Sequence, residues 1–214
     1  MADLKFSEFL TSNDVDPVQV AGIQTGINTL TPLGDVVGNM GYETIVTGMF
    51  NTDQAPGAID TPKLIDFNET GSAITSADGS VSINTDGSVS LVTSQLLVAQ
   101  IKLQIGRAGA AGRVDFITFT TVEIMGTETV LGEPIHMEFD SDNFNGQKDI
   151  TRILQAPANS IVRFYWYNDS NEGGNNEGTL QAYTCTSGVG PGGADLPLVP
   201  SASLVIGRYV SGVK

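Results

Sequence analysis

The chain has 214 residues, of which 40% are hydrophobic, and its 24 acidic against 10 basic residues leave a net charge of −14. That charge argues against nucleic acid, whose phosphates call for lysine and arginine, and against docking on an anionic membrane. The single cysteine, Cys185, rules out an internal disulfide. No apolar run approaches the roughly 18 residues of a membrane span, and the opening M-A-D-L-K-F-S-E-F-L reads as lacking a secretory leader.

In chain order, residues 1–33 form a first short module. Lys5 to Leu10 is an amphipathic piece of about one helical turn, and Val18, Val20 and Ile23 make a short extended piece punctuated by Gly22 and Gly26. Residues 34–62, interrupted by Gly34, Gly38, Gly41, Gly48 and Gly57, read as a linker or an arm crossing a neighbour, with one strand in Tyr42 to Phe50. From residue 63 onward the apolar period is two. Lys63 to Phe67 reads as a first strand. Ser76 to Ile83 and Asn84 to Leu91 are an internal repeat of an Asp-Gly turn and a short strand, with Val81, Ile83, Val89 and Leu91 facing one way.

Leu96 to Ile105 alternates through Ala99, Ile101, Leu103 and Ile105. Val114 to Met125 sets Asp115, Ile117, Phe119, Thr121 and Glu123 on one face and Val114, Phe116, Thr118, Thr120, Val122 and Ile124 on the other. Ile135 to Phe139 holds the lone His136. Ile150 to Leu154 leads to Pro157 and an aromatic strand, Ile161 to Tyr167, with Val162, Phe164 and Trp166 on one face and Arg163, Tyr165 and Tyr167 on the other. After it, the polar stretch 168–178 and Thr179 to Thr186 read as the loop and second strand of a hairpin. Gly188 to Pro200 is irregular, and Leu204 to Val210 is the last strand.

These strands describe an all-β, antiparallel β-sandwich of jelly-roll type over residues 63–214, preceded by a short N-terminal arm. Large side chains on both faces of the aromatic strand suggest that one face fills the core. The other, carrying Arg163, Tyr165 and Tyr167, then meets another subunit of a homo-oligomer, expected to be a trimer.

The N-terminal module resembles the short attachment segment that opens many tail, fibre and decoration proteins of tailed bacteriophages. Lys5-Phe6-Ser7-Glu8-Phe9-Leu10 matches its opening, with Phe9 where leucine is usual. Asp14 to Asp16 match its acidic gap, and Val18 to Gly26 its strand and glycine turn. The resemblance covers only about the first 33 residues. It implies a virion location, a phage capsid or tail protein as partner, and attachment through Phe6, Phe9, Leu10, Val18, Val20 and Ile23. The later strands are similar in pattern to the trimeric jelly rolls of viral projections and of tumour-necrosis-factor-like ligands.

Chemistry is sparse. His136 alone cannot form a zinc cluster and reads as a hydrogen-bonded strand histidine. Cys185 reads as a buried, inert thiol, and no cofactor is expected. Gly188 to Gly193 and Gly106 to Gly112 lack the Lys-Ser/Thr ending and the helix of a phosphate loop. Asp140, Asp142, Asn143, Asn145 and Asp149, with Gly146, are an oxygen-rich run that misses the EF-hand spacing and reads as a solvated turn rather than a metal site. The expectation is a non-enzymatic structural virion protein, a capsid decoration or fibre-like projection. Two alternatives are an adhesin recognising a host surface glycan through loops 140–149 and 168–178, and a carbohydrate-active enzyme.

Overall fold

The computed structural model describes residues 19–24, 27–32, 40–107, 112–139 and 145–211. The chain divides into two compact units, Met1–Glu43 with Tyr209–Lys214, and Thr44–Arg208. In the first, β1 (Gln19–Gln24) and β2 (Ile27–Pro32) form an antiparallel hairpin, Gln19 opposite Pro32 and Gln24 opposite Ile27. The expected helical turn at Lys5 to Leu10, and Phe6, Phe9, Leu10 and Val18, lie outside the described residues.

The second unit is a sandwich of two sheets. Its strands are β3 (Met40–Phe50, in this unit from Thr44), β4 (Lys63–Leu64), β5 (Ile74–Thr75), β6 (Val81–Ile83), β7 (Val89–Leu91), β8 (Gln95–Arg107) and β9 (Val114–Ile124). They continue with β10 (Thr127–Val130), β11 (Ile135–Phe139), β12 (Asn145–Ala156), β13 (Ser160–Asp169), β14 (Gly178–Leu180) and β15 (Ala202–Ser211, in this unit to Arg208). Sheet I runs β10-β9-β13-β7-β6-β5, with β11 also on β9 and β4 also on β13. Sheet II runs β12-β8-β15-β3, with β14 also on β8. The chain visits sheet II at β3, sheet I at β4 to β7, II at β8, I at β9 to β11, II at β12, I at β13, and II at β14 and β15. This repeated crossing, with antiparallel neighbours inside each sheet, is the jelly-roll path.

Period two explains the core. Along β13, Ser160, Val162, Phe164, Trp166 and Asn168 are buried, while every residue between them is half-buried. From sheet II, Leu97, Ala99, Ile101, Leu103, Ile105, Leu154, Leu204 and Ile206 point into the same core. Trp166 stacks on Phe116 of β9 at 5.0 Å, and Phe164 meets Phe67 edge-on at 5.8 Å.

Two expected elements differ. Thr179 to Thr186 does not return beside the aromatic strand as a hairpin. Only Gly178–Leu180 is strand, and it pairs with Arg107, Gly106 and Ile105 of β8, in the opposite sheet. The intervening segment is drawn across the end of the sandwich. Buried Asn168 Nδ2 donates to Gly178 O at 3.0 Å, Asn175 N donates to Arg113 O at 3.1 Å, and Arg107 Nε and Nη2 grip Glu177 Oε2 at 3.1 Å. Gly174 fits only because it lacks a side chain, since a Cβ there would lie 2.1 Å from Asp169 O.

The second difference concerns 34–62, read as a linker or crossing arm with one strand in Tyr42 to Phe50; that strand is found as β3. Residues 44–62 fall within the compact unit that forms the sandwich. Val46 is in the core, and buried Gln54 exchanges backbone hydrogen bonds with Leu180 while its side chain bonds both Asp66 O and Asp66 N. Side-chain amides doing strand-like pairing leave no alternation to read.

The Asp-Gly repeat builds two similar turns in different surroundings. Asp78 Oδ1 accepts from Ser80 N and the hydroxyls of Ser80 and Ser76; Asp86 Oδ1 accepts from Ser88 N and Oγ. Gly79 (φ 70°) and Gly87 (φ 84°) both sit in the left-handed region. A Cβ at Gly79 would meet nothing within 4 Å, whereas at Gly87 it would lie 2.5 Å from Ile65 O. Gly79→Ala should therefore cost about 1–2 kcal/mol, the backbone penalty alone, and Gly87→Ala clearly more. Urea-unfolding midpoints measure both, and equal losses would show that the crowding at Gly87 is relieved at no cost.

Candidate functional site

The outward face of sheet I is where unusual side chains gather. Register sets Tyr165 opposite Phe119 and Tyr167 opposite Ile117 across β13 and β9, and alternation turns all four away from the core. Phe119 stacks on Tyr165 at 5.2 Å and meets Tyr167 edge-on at 6.3 Å, giving a three-ring ladder. At the Tyr165 end lies a charged knot. Arg163 Nη1 donates to Glu123 Oε2 at 2.6 Å and lies 3.7 Å from Glu128 Oε1, and the Tyr165 hydroxyl donates to Glu128 Oε1 at 3.1 Å. Thr121 Oγ1 also donates to Glu128 Oε1.

At the Tyr167 end the face opens into a hollow of about 510 Å³. Pro62, Ile117, Phe119, Val130, Pro134 and Tyr167 line its apolar part, and Asp60, Asp169, Ser170 and Asn171 its polar part. A second hollow of about 220 Å³ shares Ile117, Asp169 and Asn171 with it and adds Arg113, Asp115 and His136. The shared residues make one groove.

Its polar groups are held from below. Asp60 Oδ1 accepts Ser170 N at 2.8 Å and Oδ2 accepts Ser170 Oγ at 2.6 Å. The Ser170 hydroxyl, then its N–H, holds the Asp60 carboxyl below its ordinary range. Asn171 donates through N and Nδ2 to Asp169 Oδ1 at 3.2 and 2.9 Å. Asp115, buried, takes Arg113 Nε and Nη2 at 3.1 and 3.0 Å and His136 Nε2 at 2.9 Å on one oxygen, Oδ1, while its Oδ2 has no hydrogen-bond partner.

Several expectations can now be located. Arg163, Tyr165 and Tyr167 do share one face, and the polar tips of the first two are taken up by glutamates of the same chain. Of the segment 168–178, Asp169, Ser170 and Asn171 line the groove while Glu177 is tied to Arg107. His136 is a hydrogen-bonded strand histidine, half exposed. Cys185 is not buried as expected. It is partly exposed in the irregular stretch before β15, where the Tyr183–Val199 bridge is the local pairing, and its Sγ lies 3.8 Å from Pro197 O. Of the oxygen-rich run, Asp140 to Phe144 lie outside the described residues; Asn145, Gly146 and Asp149 belong to β12. Among the described residues, no three of His, Cys, Asp and Glu are grouped to hold a metal ion.

Sequence reasoning missed Asp60, Pro62, Val130 and Pro134. Phe119 and Ile117 were on the correct face, but nothing local announced that β9 would lie beside β13.

No family model matches this chain, and no curated protein matches its sequence.

Burial first and then the Glu128 charge push the Tyr165 phenol above 10.0, its ordinary value; burial, Asp169 and Asp60 do the same for Tyr167. A raised folded-state value means the associated stability is complete below pH 10 and is lost as pH rises through the folded value. Glu128→Gln should bring the Tyr165 midpoint down and leave that of Tyr167 in place, read by alkaline titration of ring-labelled tyrosine in NMR spectra. Equal movement of both would show that Glu128 is not the cause.

Proposed function

We propose that this protein is a non-enzymatic structural component of a tailed-bacteriophage virion, in which the N-terminal segment attaches the chain to a capsid or tail protein and the jelly roll projects. The observation that supports this reading is the division of the chain. The sandwich forms a compact unit, Thr44–Arg208, and the residues resembling an attachment module fall in the other unit, with Met1–Glu43. A two-stranded hairpin such as β1–β2 is too small to bury a core by itself.

Self-association as a homotrimer belongs to the same reading, because weak anchors gain avidity when several engage together. Two faces could carry the contact. The face with Arg163, Tyr165 and Tyr167 has its charges and hydroxyls largely satisfied internally. The outward face of sheet II is the better candidate. There Leu96 (53% exposed) and Ile153 (69% exposed) are diagonal neighbours across β8 and β12, while Leu97 and Leu154 beside them point into the core.

Deleting residues 1–33 should leave a folded β protein that no longer joins particles, checked by circular dichroism and by quantifying the protein in purified virions. Incorporation at normal copy number would overturn the attachment reading. Separately, Ile153→Glu should shift the species seen by sedimentation equilibrium toward monomer, weakening association by a few kcal/mol, whereas Tyr165→Ala should not. The reverse pattern would assign the contact to sheet I.

A further inference from the structure

The groove on sheet I is left over by that reading, and its chemistry is specific enough to name a ligand. Its wall is aromatic, with Tyr167 and Phe119 in edge contact at an interplanar angle of 73°. Such faces attract flat, weakly polarised C–H surfaces. The rim of the larger hollow carries acceptors, while Arg113 and His136 stand at the smaller one. The carboxylates of Asp60 and Asp169 are held in place by Ser170 and Asn171.

A ligand for this surface must therefore present a C–H face to the rings and several hydroxyl donors to carboxylate oxygens. It must also tolerate a negative surround, since the Arg113 guanidinium is already shared between Asp115 and Glu138. Anionic polymers and phosphates fail the last condition. Apolar peptides fail the second. We propose that the groove binds a neutral oligosaccharide, stacked on Tyr167 and Phe119 and hydrogen-bonded through vicinal hydroxyls to Asp169 and Asp60. The combined hollow has the size of a site for a short saccharide segment, and a site built on paired strands with a pinned rim is preorganised, which limits the entropy lost on binding.

The test uses the full chain. Neutral hexose and N-acetylhexosamine oligosaccharides, with sialylated and uronic-acid oligosaccharides as the anionic set, are presented on an array, and hits are followed by saturation-transfer NMR and calorimetry. Binding to neutral members with little to anionic ones is expected. Tyr167→Ala and Asp169→Asn should each lower affinity about tenfold or more, and Tyr183→Ala, exposed and outside the groove, should not change it. Melting temperatures of all variants are recorded, and Tyr167→Phe, which keeps the ring, should retain most of the binding. The proposal is overturned if no neutral oligosaccharide binds, if anionic ones are preferred, if binding survives Tyr167→Ala, or if sedimentation shows that Tyr167→Ala dissociates an oligomer, which would make this face a subunit contact. None of these readouts depends on particle attachment, so failure here and failure of the virion reading are separable.

Discussion

The pairing of β13 with β9 is the contact on which both sides of sheet I depend. One register, Ile161 opposite Glu123 through Asp169 opposite Asp115, does two jobs at once. On the inner side it brings Trp166 over Phe116; on the outer side it brings Tyr165 and Tyr167 to Phe119. Because side chains alternate, a slip of one residue would exchange the two sets, sending Arg163 and the tyrosines into the core and Trp166 into water. The core therefore fixes the surface. The groove is accurate to the extent that the inner face packs well, and no residue of its aromatic wall can be moved independently of the sandwich.

The surplus of acidic residues looks different once the turns are seen. Aspartates are used here as local acceptors of backbone N–H groups. Asp66 caps Asn68, Asp78 caps Ser80, Asp86 caps Ser88, Asp169 caps Asn171, and Asp60 reaches over sequence distance to Ser170. Each satisfies a donor that an irregular connection would otherwise leave unpaired. A jelly roll has many such connections because its chain keeps leaving one sheet for the other. Part of the net charge of −14 thus serves turn building. At Asp66 burial works against the charge, raising the carboxyl above its usual range.

What could be read from the sequence followed from local physics. The alternation of β13, β9 and β8, the two Asp-Gly turns and the strand character of His136 are all set within a few residues, and all are found. What escaped is nonlocal. The three residues of β14 carry no pattern strong enough to say which sheet they join, and the hairpin expected from proximity was overruled by Asn168, Gly174 and Arg107, whose partners lie far along the chain. Gln54 stabilises the sandwich through an amide, a residue type that hydrophobic periodicity ignores. The groove needed Asp60 beside Ser170, a juxtaposition across 110 residues that no spacing rule contains.

The strand order of sheet II has a consequence for how the chain reaches this state. β15 lies between β8 and β3, with register Ala202 opposite Leu103 through Gly207 opposite Val98. Both of its neighbours leave the ribosome long before it does. Until β15 emerges, each presents an unsatisfied edge, open to strangers as well as to the proper partner. Sheet II is thus completed from its middle and last, by contacts of long sequence separation, which are slow to form. The strands that flank β15 are therefore joined only through it, by contacts that span most of the described residues. Loss of the final strand would not trim the fold at its margin; it would part the sheet down its centre.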